Sequence, residues 1–127
     1  MSDITSAAPI SVYLVPGRHA HLVGIGGVSM CALGQVLHGM GMIVTGSDQQ
    51  RSETTDRLER GGISVAIGHD PANIAGADLV IRTAAVHDDN PEIAAARAAG
   101  ISVFERAQSW GELMKKYPNA VCVAGTH

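Results

Sequence analysis

Short apolar runs alternate with amphipathic stretches along most of the chain. His21-Leu22-Val23 is short and apolar and suits a buried strand. Past the glycines at 24, 26 and 27, Met30, Leu33, Val36, Leu37 and Met40 recur at three- and four-residue steps, which predicts one buried helix face. Residues 42–45 read as a second apolar strand. Residues 49–60, polar and charged, read as a short surface helix that Gly61-Gly62 ends as a C-cap. Residues 63–67 alternate and are β-branched, a third strand. A loop at 68–71 and a short helical turn at 72–75 lead to a fourth strand at 79–83. Asn90 as N-cap and Pro91 at the first helical position open a helix that runs through Ala99 and stops at Gly100. A fifth strand at 101–104, a helix at 107–116 and a sixth strand at 120–124 follow. At the other end, residues 2–9 read as a frayed tail. Residues 10–15 are a candidate edge strand that Pro16-Gly17 turns back towards His21.

Strands and helices alternating at this spacing predict right-handed βαβ units. The fold class is α/β, a Rossmann-like parallel sheet of five to six strands with helices on both faces.

Between the first strand and the first helix lies Gly24-Ile25-Gly26-Gly27-Val28-Ser29-Met30. The first N–H groups of a helix lack intrahelical partners, its dipole is positive there, and glycine lets a phosphate approach the backbone. The stretch therefore reads as a cradle for a nucleotide-type pyrophosphate. Gly24 and Gly26 match the first two positions of G-x-G-x-x-G, and Ser29 holds the third. The same glycines also suit a tight strand-to-helix turn that serves only packing. The next element favours the ligand. Ser47-Asp48 ends the second strand, and Asp48 lies about 20 residues beyond the turn, where Rossmann-type sites place the acid that binds a ribose hydroxyl. A plain helix N-cap is the other role open to Asp48.

Composition narrows the partners. The 127 residues fit one domain with a real core, 46% hydrophobic but only 3% aromatic, so Ala, Val, Ile, Leu and Met must build it. A net charge of −3 and nine scattered Lys and Arg argue against nucleic acid. No run is long enough for a membrane span, and the first 18 residues lack a signal peptide's basic start, so the chain reads as soluble and cytoplasmic. Cys31 and Cys122 sit in apolar stretches and read as buried free thiols. His19 and His21 share one face of a strand and read as structural rather than metal-binding, and no metal site is expected.

Ligands of parallel sheets bind outside the strands' carboxyl ends. The candidates there are Gly24 to Met30, Ser47, Asp48, His69, Thr83, Ala84, Ala85, and Glu105-Arg106. His69 in Gly-His-Asp-Pro also suits a simple turn, and Thr83 a strand end. Arg106 reads as a surface charge or as a phosphate partner, since a guanidinium beside an anion cradle is the fitting group. No nucleophile–base pair appears, so the domain reads as a binder with no catalytic residue of its own.

These motifs together resemble the N-terminal domain of the Mur ligases. The glycine turn, Gly46-Ser47-Asp48, Gly68-His69-Asp70, Asp89-Asn90-Pro91-Glu92 and the terminal Ala124-Gly125-Thr126-His127 occur in the family's order across residues 18–127. The double glycine Gly26-Gly27 is similar to the alanine-adding branch rather than the murein-peptide-recycling one. The sequence departs at Ser29, where the family usually has glycine, and at Arg82-Thr83-Ala84-Ala85, where a Ser-Ser-Ala run is commoner. The resemblance implies a three-domain ligase whose first domain holds UDP-N-acetylmuramate. ATP, with Mg2+, activates the lactyl carboxylate as an acyl phosphate, and the amine of L-alanine attacks it. By position, Gly24, Gly26, Gly27, Val28, Ser29 and Met30 are implied to hold the diphosphate, with Arg106 nearby. Ser47, Asp48, His69, Thr83, Ala84 and Ala85 are implied to line the uridine and sugar side. Residues 1–18 are then a tail and 19–118 the UDP-sugar domain. Residues 119–127 are the first strand of a central ATPase domain, with Gly125, Thr126 and His127 opening its ATP loop. That motif stops before the family's lysine, so the chain is expected to be a piece of a longer enzyme that binds the UDP-sugar weakly and cannot ligate alone. Two alternatives share the early signals: an NAD-binding dehydrogenase domain, and a nucleotide-sensing module of the potassium-transport type.

Overall fold

The computed structural model describes residues 9–116. Five strands, β1 (His19–Val23), β2 (Ile43–Asp48), β3 (Ser64–Ile67), β4 (Leu79–Arg82) and β5 (Ser102–Glu105), form one parallel sheet in the order β3-β2-β1-β4-β5. Between them run α1 (Val28–Gly39), α2 (Glu53–Arg60) and α3 (Pro91–Ala98), and α4 (Arg106–Lys116) follows β5. The chain steps outward from β1 to β3, then returns across β1 to place β4. The strand order therefore reverses beside β1, the position where open α/β sheets form a ligand crevice.

Both faces of the central strands are buried, as a parallel sheet requires. Ala20, Leu22, Leu79 and Ile81 point to one face, where Leu33 and Leu37 of α1, Leu58 of α2 and Leu113 of α4 cover them. Val23 and Val80 point to the other, under Ile93 and Ala96 of α3 and Ile74 of a short 3-10 helix, Pro71–Ile74. That second layer stops short of β2 and β3. Their outward positions change character accordingly: Ile43 and Ser64 are exposed, Thr45 and Ala66 half-buried.

Helix ends follow the local chemistry. Ser52 caps α2 in a reciprocal capping box with Thr55. The Asn90 side chain accepts from the N–H of Glu92, with Pro91 opening α3. β2 runs past its expected end at residue 45 to Asp48, because Gly46, Ser47 and Asp48 pair with β3.

One expectation is corrected. Residues 10–15 are a candidate edge strand by sequence, yet Ile10–Val12 is a 3-10 helix and the segment pairs with no strand. Ile10 and Leu14, four apart, both enter the core, which is helical spacing. Their turn closes through Tyr13 N–H and Leu14 N–H donating to Ile10 O. The sixth strand at 120–124, Cys122, most of the tail at 2–9, and the Gly125, Thr126 and His127 motif lie outside the described residues.

Candidate functional site

The glycine turn lies at the carboxyl end of β1. Gly24 takes φ +82°, where a side chain would be strained, and its N–H and that of Ile25 both donate to Ser47 O. Gly26 is pressed against Asp48: its N–H donates to Asp48 Oδ2 at 2.9 Å, and a Cβ would stand 2.7 Å from that oxygen. Asp48, expected to meet a ribose, thus also fixes the loop. Gly27 is the N-cap of α1 and supplies no side-chain cap, so the helix's first-turn N–H groups open directly onto the loop. Val28, next to it, is 91% exposed.

Arg106 is brought to this helix end from across the sheet. Its Nη1 donates to Ser29 Oγ at 2.8 Å, and Trp110 Nε1 donates to the same oxygen at 3.1 Å. A hydroxyl has two acceptor lone pairs and one hydrogen, and neither partner here can accept. Ser29 therefore keeps its hydrogen for donation, at the positive end of α1. Arg106 Nε is buried without a partner, a donor still to be satisfied. Thr83, Ala84 and Ala85 form the turn after β4, closed by Val86 N–H donating to Thr83 O, and Val86 borders Gly24. Arg82 latches this loop. It bonds Glu105 on β5 at 3.2 Å, Val86 O at 3.3 Å, and Asp88. The hydrogen bond from Arg82 holds the Asp88 carboxyl below its ordinary range.

Ser47 and His69 belong to a second, buried cluster behind the edge. Its centre is Glu92, in the first turn of α3 and fully buried. Glu92 Oε1 accepts from His21 Nε2 and Ser47 Oγ, both at 2.7 Å. Oε2 accepts from Asn73 Nδ2 at 2.7 Å, Asp70 N–H at 3.1 Å and His69 Nδ1 at 3.4 Å. Burial pushes this carboxyl up, but the hydrogen bonds from His21, Asn73 and Ser47, with the charge of His21, outweigh it and bring it from 4.5 down to about 2. On the far side Thr45 Oγ1 bridges His21 Nδ1 and His19 Nε2, each at 2.8 Å. Ser47 is wholly buried and reaches the edge only through His69, which is 13% exposed.

The structure thus gathers the glycine turn, Asp48, Thr83 to Ala85 and Arg106 around the crevice, with Ser47 and His69 tied behind it by Glu92. Trp110, Asn73 and Thr45 are not among the residues singled out from the sequence, and Glu92 enters there only as the end of the Asp89-Asn90-Pro91-Glu92 motif, with no site role. For Glu92 a signal existed, a carboxylate in the first turn after an Asn-Pro cap, but its burial depends on the docking of α3. Among the described residues no group of three His, Cys, Asp or Glu side chains could hold a metal, and no helix is long and apolar enough to cross a membrane.

A family model described as the catalytic domain of the Mur ligase family matches residues 19–118. The chain belongs to the Mur ligase family. A curated relative, UDP-N-acetylmuramate–L-alanine ligase of Acetivibrio thermocellus, is 50% identical to this Mur ligase chain over 110 residues, covering 87% of it and 24% of the relative. Among solved structures it is similar to the UDP-N-acetylmuramate–alanine ligase of Thermotoga maritima, with TM-score 0.75, 37% identity, and coverage of 77% of this chain and 23% of that one. The murein peptide ligase of Psychrobacter arcticus follows at TM-score 0.69 and 26% identity, over 79% of this chain and 21% of that one. The chain thus spans about a quarter of the length of the relatives it matches.

Proposed function

We propose that residues 19–118 are the UDP-N-acetylmuramate-binding domain of a ligase that adds L-alanine in peptidoglycan precursor synthesis. The observation that carries this reading is the glycine turn with Arg106 at its helix end, in a chain 50% identical to a curated ligase of that name. The first-turn N–H groups of α1, the Ser29 hydroxyl and Arg106 offer donors to a diphosphate. Asp48 faces the ribose side, and Thr83, Ala84 and Ala85 border the crevice. His69 meets the uridine side, with Ser47 behind it. The alanine ligase of Thermotoga maritima is 37% identical to this chain and the murein peptide ligase of Psychrobacter arcticus 26%, which supports the alanine-adding branch.

ATP and Mg2+ supply carboxylate activation in the whole enzyme. By the family resemblance we assign both to the region opened by Gly125-Thr126-His127. The family match counts against an NAD-binding dehydrogenase or a nucleotide-sensing module. Trp110 is the one tryptophan of the sequence, hydrogen-bonded to Ser29, and so reports on the site. UDP-N-acetylmuramate is expected to change its fluorescence saturably while the chain alone couples no alanine to it with ATP. An unchanged spectrum at millimolar ligand contradicts the assignment of the site, and detectable coupling contradicts the division of labour.

A further inference from the structure

Glu92 is a buried carboxylate that the binding reading leaves without a task. Its hydrogen bonds fix the protons of its neighbours. An ionised carboxylate only accepts, so at 2.7 Å the single hydroxyl hydrogen of Ser47 goes to Glu92 Oε1. Ser47 Oγ also lies 3.1 Å from His69 Nδ1, and with its hydrogen spent it can only accept there. The other neighbour of His69 Nδ1 is Glu92 Oε2 at 3.4 Å, again an acceptor. Both groups facing Nδ1 therefore demand a proton on it. The neutral ring then carries a lone pair on Nε2, for which the described residues supply no hydrogen-bond partner. Gly68 N–H donates to Asp48 O at 2.7 Å, which seats the His69 loop beside the residue assigned to the ribose.

We propose that Glu92, with Ser47, is a positioning residue that holds His69 as the Nδ1–H tautomer, so that Nε2 accepts a hydrogen bond from a ribose hydroxyl of the bound nucleotide. The arrangement parallels a carboxylate–histidine pair, in which the carboxylate sets the tautomer and the far nitrogen does the work. The ligand half rests on the nucleotide-binding reading; the tautomer half does not.

Nitrogen NMR of the histidine rings in the ligand-free wild type, at about pH 8 and so above the ordinary histidine range, separates the two. The His69 signals are assigned by their loss in His69→Asn. The expected pattern is a protonated Nδ1 and an unprotonated Nε2, and an Nε2–H tautomer overturns the proposal. In Glu92→Gln one of the two acceptor oxygens becomes an NH2 donor, and His69 is expected to lose its fixed tautomer, a retained one overturning the part given to Glu92; should that variant not fold, the wild-type spectrum still decides. His69→Asn keeps a donor near the Nδ1 position and removes the Nε2 acceptor. Its affinity for UDP is expected to fall about tenfold, with its unfolding midpoint little changed, and undiminished affinity overturns the contact. A wild type that binds no UDP overturns the nucleotide reading, while the free-protein spectrum still decides the tautomer.

Discussion

Ser29 shows how one side chain changes the chemistry of a helix end. As glycine it would leave only backbone donors; as serine it accepts from Arg106 and Trp110 and points its own hydrogen elsewhere. Ser29→Ala strips the acceptor from both partners, so Arg106 and Trp110 lose a shared anchor. UDP affinity is expected to drop about tenfold and Trp110 emission to shift in the free protein, both read in one fluorescence titration. Glu92 makes a complementary prediction about acid. Its carboxyl sits at about 2 when folded against 4.5 ordinarily, so the unfolded state binds its proton first as pH falls. The stability it contributes is complete above about 4.5, declines between there and about 2, and is on the order of 3 kcal/mol. Urea unfolding across that range is expected to show the loss in wild type and a flatter profile in Glu92→Gln. A wild type equally stable at both ends contradicts it.

At the scale of elements, the crevice depends on close approach between β1, β2 and the glycine turn. Ile25 packs onto Gly46 in β2, where a Cβ would come within 2.5 Å of Ile25 Cδ1 and 2.7 Å of its Cβ. The second atom is too near the backbone to swing away. Gly46→Ala is expected to cost about 1–3 kcal/mol, measured by chemical denaturation. Most of these elements were legible in the sequence because local signals agreed with the fold: the glycine turn, the Asn90-Pro91 cap, the alternation of residues 63–67. The segment at 10–15 is only a candidate strand from its sequence, because six residues with apolar positions at 10, 12, 14 and 15 satisfy alternation and helical spacing alike. Only its packing under α4, with Lys116 Nζ donating to Ser11 O at 3.1 Å, decides between them. The Glu92 cluster is hidden for a different reason: His21 on β1, Ser47 on β2, and His69 with Asn73 after β3 lie far apart in the chain, and no spacing rule joins them to Glu92.

For the whole molecule, the sheet's order brings the described candidates to the carboxyl ends of the strands, with Ser47 buried behind them. β1 supplies the turn, β2 ends at Asp48, the segments after β3 and β4 bring His69 and Thr83 to Ala85, and Arg106 follows β5. The Arg82 latch couples the last two. Arg82→Ala releases Glu105, leaves Asp88 only its 3.6 Å contact with Arg97, and is expected to raise hydrogen exchange in residues 83–88 with the sheet unaffected. A dehydrogenase domain would share the turn and Asp48, so the fold alone does not separate the two ligands. Calorimetric titration of this chain with UDP-N-acetylmuramate, UDP and NAD in parallel does. Heat from both UDP compounds and none from NAD is the predicted result; binding of NAD with no response to UDP or its sugar contradicts the account.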